Sequence, residues 1–134
     1  MTFSHNDKVD ITSESDIVQV RTTVRETAIN IGFGVTDVTR IVTAASELAR
    51  NIYRFAGTGV MYLKTLDNGG RKGIELIFED SGPGIENIEV AIGEGYTTGN
   101  GLGLGLPGTQ RLMDEMEIDS KVDTGTTVRV VKWL

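Results

Sequence analysis

The chain is predicted to adopt an α+β fold, with helices on one face of a mixed, largely antiparallel sheet. Three observations predict it. Apolar residues recur at helical spacing through residues 15–55, then alternate along turn-separated segments from residue 60 onward, and a dense glycine run divides those segments into two pairs. At 134 residues the chain forms one domain, 1–134, with a core of its own.

The elements follow in order. Lys8 to Thr12 alternates weakly and reads as an edge strand or as part of a flexible leader over 1–12. Ser15 or Ser13 can cap a helix running to about Ile31, with Ile17, Val20, Val24, Ala28 and Ile31 on one face. The Gly-Phe-Gly at 32–34 stops it. A second helix spans about Thr36 to Phe55, carrying Val38, Ile41, Val42, Ala45, Leu48, Ala49, Ile52 and Tyr53 at close to 3.6-residue spacing, and Gly57 and Gly59 end it. Val60 to Leu66, a turn at Asp67-Asn68-Gly69-Gly70, and Gly73 to Glu79 read as a hairpin. After the glycine run come a helix from about Leu106 to Met116 and two strands, Glu117 to Val122 and Thr126 to Trp133.

Composition narrows the function classes. Hydrophobic content of 39% and charged content of 24% are those of an ordinary globular protein. A net charge of −6 argues against nucleic acid or an anionic membrane as the main partner, because both call for a basic surface. Without cysteine there are no disulfides, thiolate metal sites or cysteine nucleophiles. No apolar run reaches membrane-spanning length and the start MTFSHNDK lacks a signal-peptide core, so the cytoplasm is the expected location.

Three groups of residues carry candidate chemistry. On the second helix, taking Glu47 as zero, Asn51 lies at about 40°, Arg54 at about −20° and Arg40 at about 20°, all away from the apolar stripe. A carboxylate one turn from a carboxamide can set a proton acceptor beside a magnesium ligand, since Mg²⁺ takes one or two protein oxygens and fills its shell with water and phosphate. An isolated E-x-x-x-N far more often marks a solvated face with Glu–Arg support. Next, Asp80 ends a strand in which Ile74, Leu76 and Phe78 alternate, so its parity is inward and its carboxylate needs donors, such as the exocyclic amine of a base. A Pro-Gly turn in which Asp80 bonds its own amides is the commoner reading of Asp80-Ser81-Gly82-Pro83-Gly84 alone.

The third group is Gly93 to Gly108, with seven glycines in sixteen residues and strict alternation at Gly99, Gly101, Gly103 and Gly105. Such a run forms no stable strand or helix and suits flexibility or close backbone approach to a ligand. Pro107 fits the first turn of the following helix, whose amides can face an anion. As a bare segment it is equally a simple flexible loop. Gly103-x-Gly105-x-x-Gly108 matches the dinucleotide fingerprint formally, but GEGYTTGNG rather than a strand precedes it. No Gly-Lys-Ser/Thr, HRD or DFG is present.

In order, E-x-x-x-N on a helix, D-x-G-x-G after a strand, an alternating glycine lid and Gly125-Thr126 before the last strand resemble the GHKL ATPase superfamily, whose fold is a two-layer α/β sandwich. The resemblance implies that Glu47 is the general base, that Asn51 holds Mg²⁺, and that Asp80 contacts the adenine amine of ATP. Gly82 and Gly84 would shape the adenine pocket, Gly99, Gly101, Gly103, Gly105 and Leu106 would lie at the lid over the phosphates, and Thr126 would lie near the adenine. Arg54 stands where relatives place a phosphate-reaching lysine. Because the lid lacks Lys and Arg from Gly93 to Gln110, phosphate charge falls to amides, Mg²⁺, Arg54, Arg111 or a residue of the partner.

The only histidine, His5, lies in the polar leader, which excludes histidine-kinase autophosphorylation, and the motor-like members need further domains. SELARNIYRFAG, EDSGPGI, GLGLGLPGTQRLMDE and the closing VKWL are similar to the small stand-alone serine kinases of bacterial regulatory switches. That branch implies a STAS-domain antagonist as substrate and a PP2C-type phosphatase as the target activated afterwards. An anti-sigma-factor kinase is the alternative within the branch, and a nucleotide-dependent binding switch without catalysis is the alternative outside it. The polar face of the first helix, with Gln19, Arg21, Thr22 and Arg25, is a docking candidate.

Overall fold

The structure, a computed structural model, describes residues 6–82 and 106–134. In it α1 (Glu14–Ile31), α2 (Val35–Phe55) and α3 (Leu106–Leu112) lie on one face of a five-stranded sheet made of β1 (Asn6–Ile11), β2 (Gly59–Asn68), β3 (Arg71–Asp80), β4 (Glu115–Lys121) and β5 (Gly125–Trp133). The spatial order is β1-β2-β3-β5-β4 and each of its four pairings is antiparallel. The expected α+β layering holds, and β1 is the edge strand that the alternation at Lys8 suggested.

The core lies between the layers. Val9, Ile11, Met61, Leu63, Ile74, Leu76, Phe78, Val128 and Val130 project from the sheet onto Ile17, Val20 and Val24 of α1 and Ile41, Leu48 and Ile52 of α2, all buried. Burying each such side chain contributes about 1.5–3 kcal/mol. On the opposite face of the sheet Val131 is also fully buried, beside Arg129, which bonds Glu75 at 2.5 Å and Glu117 at 2.7 Å. Burial lowers the pKa of Arg129, but hydrogen bonds and charge from Glu75, then Glu117, outweigh it and the net shift is upward.

Local chemistry sets the element ends. At the start of α1 the Asp16 carboxylate accepts from the amides of Thr12 (2.8 Å) and Ser13 (3.1 Å) and from the Thr12 hydroxyl (3.0 Å). These bonds, that of the Thr12 amide foremost, hold its pKa below the usual carboxylate value. A depressed folded-state pKa means the contribution to stability is present above the unfolded value and is lost as pH falls through the folded one. Melting curves should therefore show Asp16→Asn less stable than the native chain near neutrality, with the gap closing as pH drops below about 4; a gap constant with pH would exclude this ionised cap.

The second helix closes at Ala56, and Gly57, at φ +85°, donates to the Ile52 carbonyl at 2.8 Å. In the hairpin Gly69 and Gly70 both have positive φ, so the strands run closer to the turn than the sequence reading placed them. The third helix is shorter than expected, ending at Leu112 rather than Met116, and β4 begins at Glu115 rather than Glu117. Tertiary bonds decide this. The Asp114 amide donates to the Val131 carbonyl at 2.9 Å, and the buried Lys132 ammonium caps the Leu112 carbonyl at 2.9 Å. From Glu115 on, exposed acids alternate with half-buried Met116, Ile118 and Ser120, which is strand periodicity.

Candidate functional site

Two pieces of the site come from α2. Glu47 and Asn51 are half-buried on its flank and Arg54 is exposed. Glu47 Oε1 accepts from Arg50 Nη1 at 2.6 Å, one turn on. By helical angle Arg40 and Arg54 share the face of Glu47; Arg40 pairs with Asp37 at 3.0 Å, and Arg50 holds Glu47. The i,i+3 spacing of Glu47 and Arg50 was the available signal. A pair this exposed adds at most about 1 kcal/mol to stability, so its main physical effect is to orient the carboxylate.

The second piece is the end of β3. Asp80 Oδ1 accepts from the Gly82 amide at 2.8 Å and the Thr126 amide at 3.3 Å. The first bond is the local turn bond that the Asp-Ser-Gly motif suggested. The second joins residues far apart in the chain, because Asp80 and Thr126 are direct partners in the β3–β5 ladder. An ionised carboxylate has about four lone-pair sites, so acceptor capacity remains for a ligand donor. Next across the sheet, Ser120 is the direct partner of Thr126, and their hydroxyl oxygens lie 2.8 Å apart. No sequence signal singled out Ser120.

Two glycines let these parts close up. A Cβ on Gly82 would fall 2.6 Å from Cβ and 2.9 Å from Cα of Ala56, so the Asp80 turn sits directly on the end of α2. A Cβ on Gly125 would fall 2.1 Å from the Asp80 carbonyl oxygen and 2.8 Å from Ser81 Cα, at φ +133°. The Gly125 contacts are with backbone, which cannot swing aside. Gly125→Ala should destabilise the fold by roughly 1–3 kcal/mol, read as a lower denaturant midpoint. An unchanged midpoint would show that the strand end is not as tightly packed against Asp80 as these contacts require.

Along α2, Asn51 lies about 7–8 Å and Glu47 about 13–14 Å back from Ala56 at 1.5 Å per residue. Asp80, at the end of β3, meets the end of this helix through Gly82 and Ala56, and Asn51 and Glu47 stand one and two or so turns back along it. For magnesium, the Asn51 carboxamide supplies a hard oxygen of the kind that ion prefers. Among the described residues no group of three or more His, Cys, Asp or Glu could hold a metal, and no helix is long and apolar enough to cross a membrane. Leu106 is buried in the core at the start of α3. Gly84, Gly99, Gly101, Gly103 and Gly105 lie outside the described residues.

The two-layer sandwich thus carries an acid and an amide on one helix and an aspartate joined to a threonine across two strands. The chain belongs to the histidine kinase-, DNA gyrase B- and HSP90-like ATPase family, which matches residues 36–134. Over 126 residues it is 47% identical to serine/threonine-protein kinase RsbT of Bacillus subtilis (strain 168), covering 94% of this chain and 95% of that one. It is 36% identical over 105 residues to the anti-sigma F factor of Anoxybacillus flavithermus, covering 73% and 70% of the two chains. Among solved structures, the mycobacterial sensor histidine kinase MprB superposes with a TM-score of 0.57 at 21% identity, over 96% of this chain and 97% of that one, a likeness of fold.

Proposed function

We propose that the chain is an ATP-dependent protein serine/threonine kinase of bacterial partner switching, working in the cytoplasm. Its substrate is a STAS-domain antagonist, RsbS- or RsbR-like, in a stress-signalling complex, and its later target is an RsbU-like PP2C-type phosphatase that it binds and activates. The observation that carries this reading is the contact of the Asp80 turn, bonded to Thr126, through Gly82 with Ala56 at the end of the helix that bears Asn51 and Glu47. The identity to a protein named as such a kinase supports it.

In the mechanism the adenine amine donates to Asp80, in a pocket shaped by Gly82 and Gly84 and flanked by Thr126. Asn51 offers its carboxamide oxygen to Mg²⁺, which supplies charge neutralisation across the phosphates when bound. Arg54 reaches toward the phosphates, and the family resemblance assigns Gly99, Gly101, Gly103, Gly105 and Leu106 to their lid. Glu47, oriented by Arg50, accepts the proton of a serine or threonine hydroxyl on the partner as that oxygen attacks the γ-phosphorus and the bond to the β,γ-bridging oxygen breaks, releasing ADP. Positioning and electrostatics provide most of the rate.

Incubation with γ-labelled ATP and a STAS partner is the direct test. Label on a partner serine or threonine supports the kinase, and nucleotide-sensitive complex formation without label supports a binding switch instead. The similarity to an anti-sigma F factor favours one second reading, an anti-sigma-factor kinase of RsbW or SpoIIAB type, which would also hold a sigma factor in a pull-down. A simpler measurement precedes both. Mg²⁺-ATP at about a hundred times its dissociation constant should stabilise the fold by about 2.7 kcal/mol, seen as a raised melting temperature. A melt unmoved by any adenine nucleotide would remove the nucleotide site.

A further inference from the structure

We infer that Ser120 is a positioning residue that fixes the hydrogen-bond polarity of Thr126, so that the base site accepts a 6-amino purine and turns away a 6-keto purine. The inference deepens the proposed ATP site and rests on it. Gly59, Asp80, Thr126 and Ser120 form one row across β2, β3, β5 and β4. Directly opposed residues share a sheet face, so the Thr126 and Asp80 side chains leave the sheet on the same side, and the Thr126 amide donates to Asp80 Oδ1 at 3.3 Å.

Proton count sets the polarity. Ser120 Oγ donates to the Gly125 carbonyl at 3.2 Å. A serine hydroxyl has one proton and a carbonyl can only accept. With that proton assigned to the carbonyl, the 2.8 Å contact between Ser120 Oγ and Thr126 Oγ1, in which either oxygen could donate, is filled by the threonine donating. Its own proton engaged, Thr126 Oγ1 presents lone pairs to a ligand, as the Asp80 carboxylate does. Two acceptors side by side complement an exocyclic amine, whereas a ring carbonyl there would meet lone pairs on both. Ser120 touches neither base nor phosphate in this scheme and acts through Thr126.

Calorimetric affinities of the full chain for Mg²⁺-ATP and Mg²⁺-ITP, which differ at this ring position, give the readout. The native chain should prefer ATP by about 100-fold or more, because a polar site left unpaired rejects the wrong analogue strongly. In Ser120→Ala the Thr126 proton is released toward the ligand, so the ATP-to-ITP ratio should fall by about 5–10-fold, the worth of one net hydrogen bond. The same step in a Thr126→Val background should leave the ratio unchanged. Ser120→Cys, close in size and a weaker hydrogen-bonding group, reads the same ratio should the alanine variant not fold. A ratio unaltered in both variants, or equal losses for both nucleotides, overturns the inference while leaving the ATP site standing. If the native chain binds neither nucleotide, the site itself is overturned as well.

Discussion

Glu47→Ala is expected to reduce phosphotransfer to a protein substrate by about 10²–10⁴-fold, the usual contribution of a positioned general base. Mg²⁺-ATP affinity should stay within a few-fold of native. The structure supplies the reason for that split. Glu47 is held by Arg50 at 2.6 Å, so deleting the carboxylate removes negative charge near the place assigned to the phosphates and leaves a guanidinium without this partner. Ground-state attraction for a triphosphate is then undiminished, and the loss falls on the step that moves a proton. Single-turnover transfer measured beside calorimetric affinity separates the two quantities. Full activity in the alanine variant would remove Glu47 from the base role, and a parallel collapse of affinity would make it a binding residue instead.

Asp80→Asn should act in the opposite way, weakening nucleotide binding by roughly 10–100-fold, the cost of leaving a buried polar group mismatched. Asp80 Oδ1 already accepts from the Gly82 and Thr126 amides. An asparagine keeps its single oxygen there and turns an NH₂ toward the ligand's amine, so donor would face donor. The change is nearly isosteric and should leave the melting temperature of the free protein within a few degrees of native. Unchanged ATP affinity in a folded Asp80→Asn variant would falsify the adenine assignment. With Glu47→Ala, it tests the two ends of the proposed ligand separately.

Much of this was legible in the chain before any coordinates, for reasons that differ by element. The two long helices announced themselves because their apolar residues repeat every 3.6 positions, and the hairpin because Asp67-Asn68-Gly69-Gly70 separates two alternating runs. The end of α3 was misplaced by four residues because Lys132 and Val131, about twenty positions onward, supply the bonds that stop it. Within the site, helical angle alone does not choose the partner of Glu47. Arg40, Arg50 and Arg54 all lie within two turns of it, and only side-chain geometry shows which one it meets.

The sequence by itself determined what periodicity can carry: one helix flank holding Glu47 and Asn51, inward parity for Asp80, and turns where glycine must accept positive φ. Those are relations between residues a few positions apart, set by backbone repeat alone. Tertiary structure decided that Thr126 stands beside Asp80, that Ser120 stands behind Thr126, and that Gly82 rests on Ala56. The physical reason is register. Strand order and ladder alignment come from how two layers bury their apolar faces together, and a slip of one residue would turn Thr126 to the opposite face. No local pattern encodes that choice.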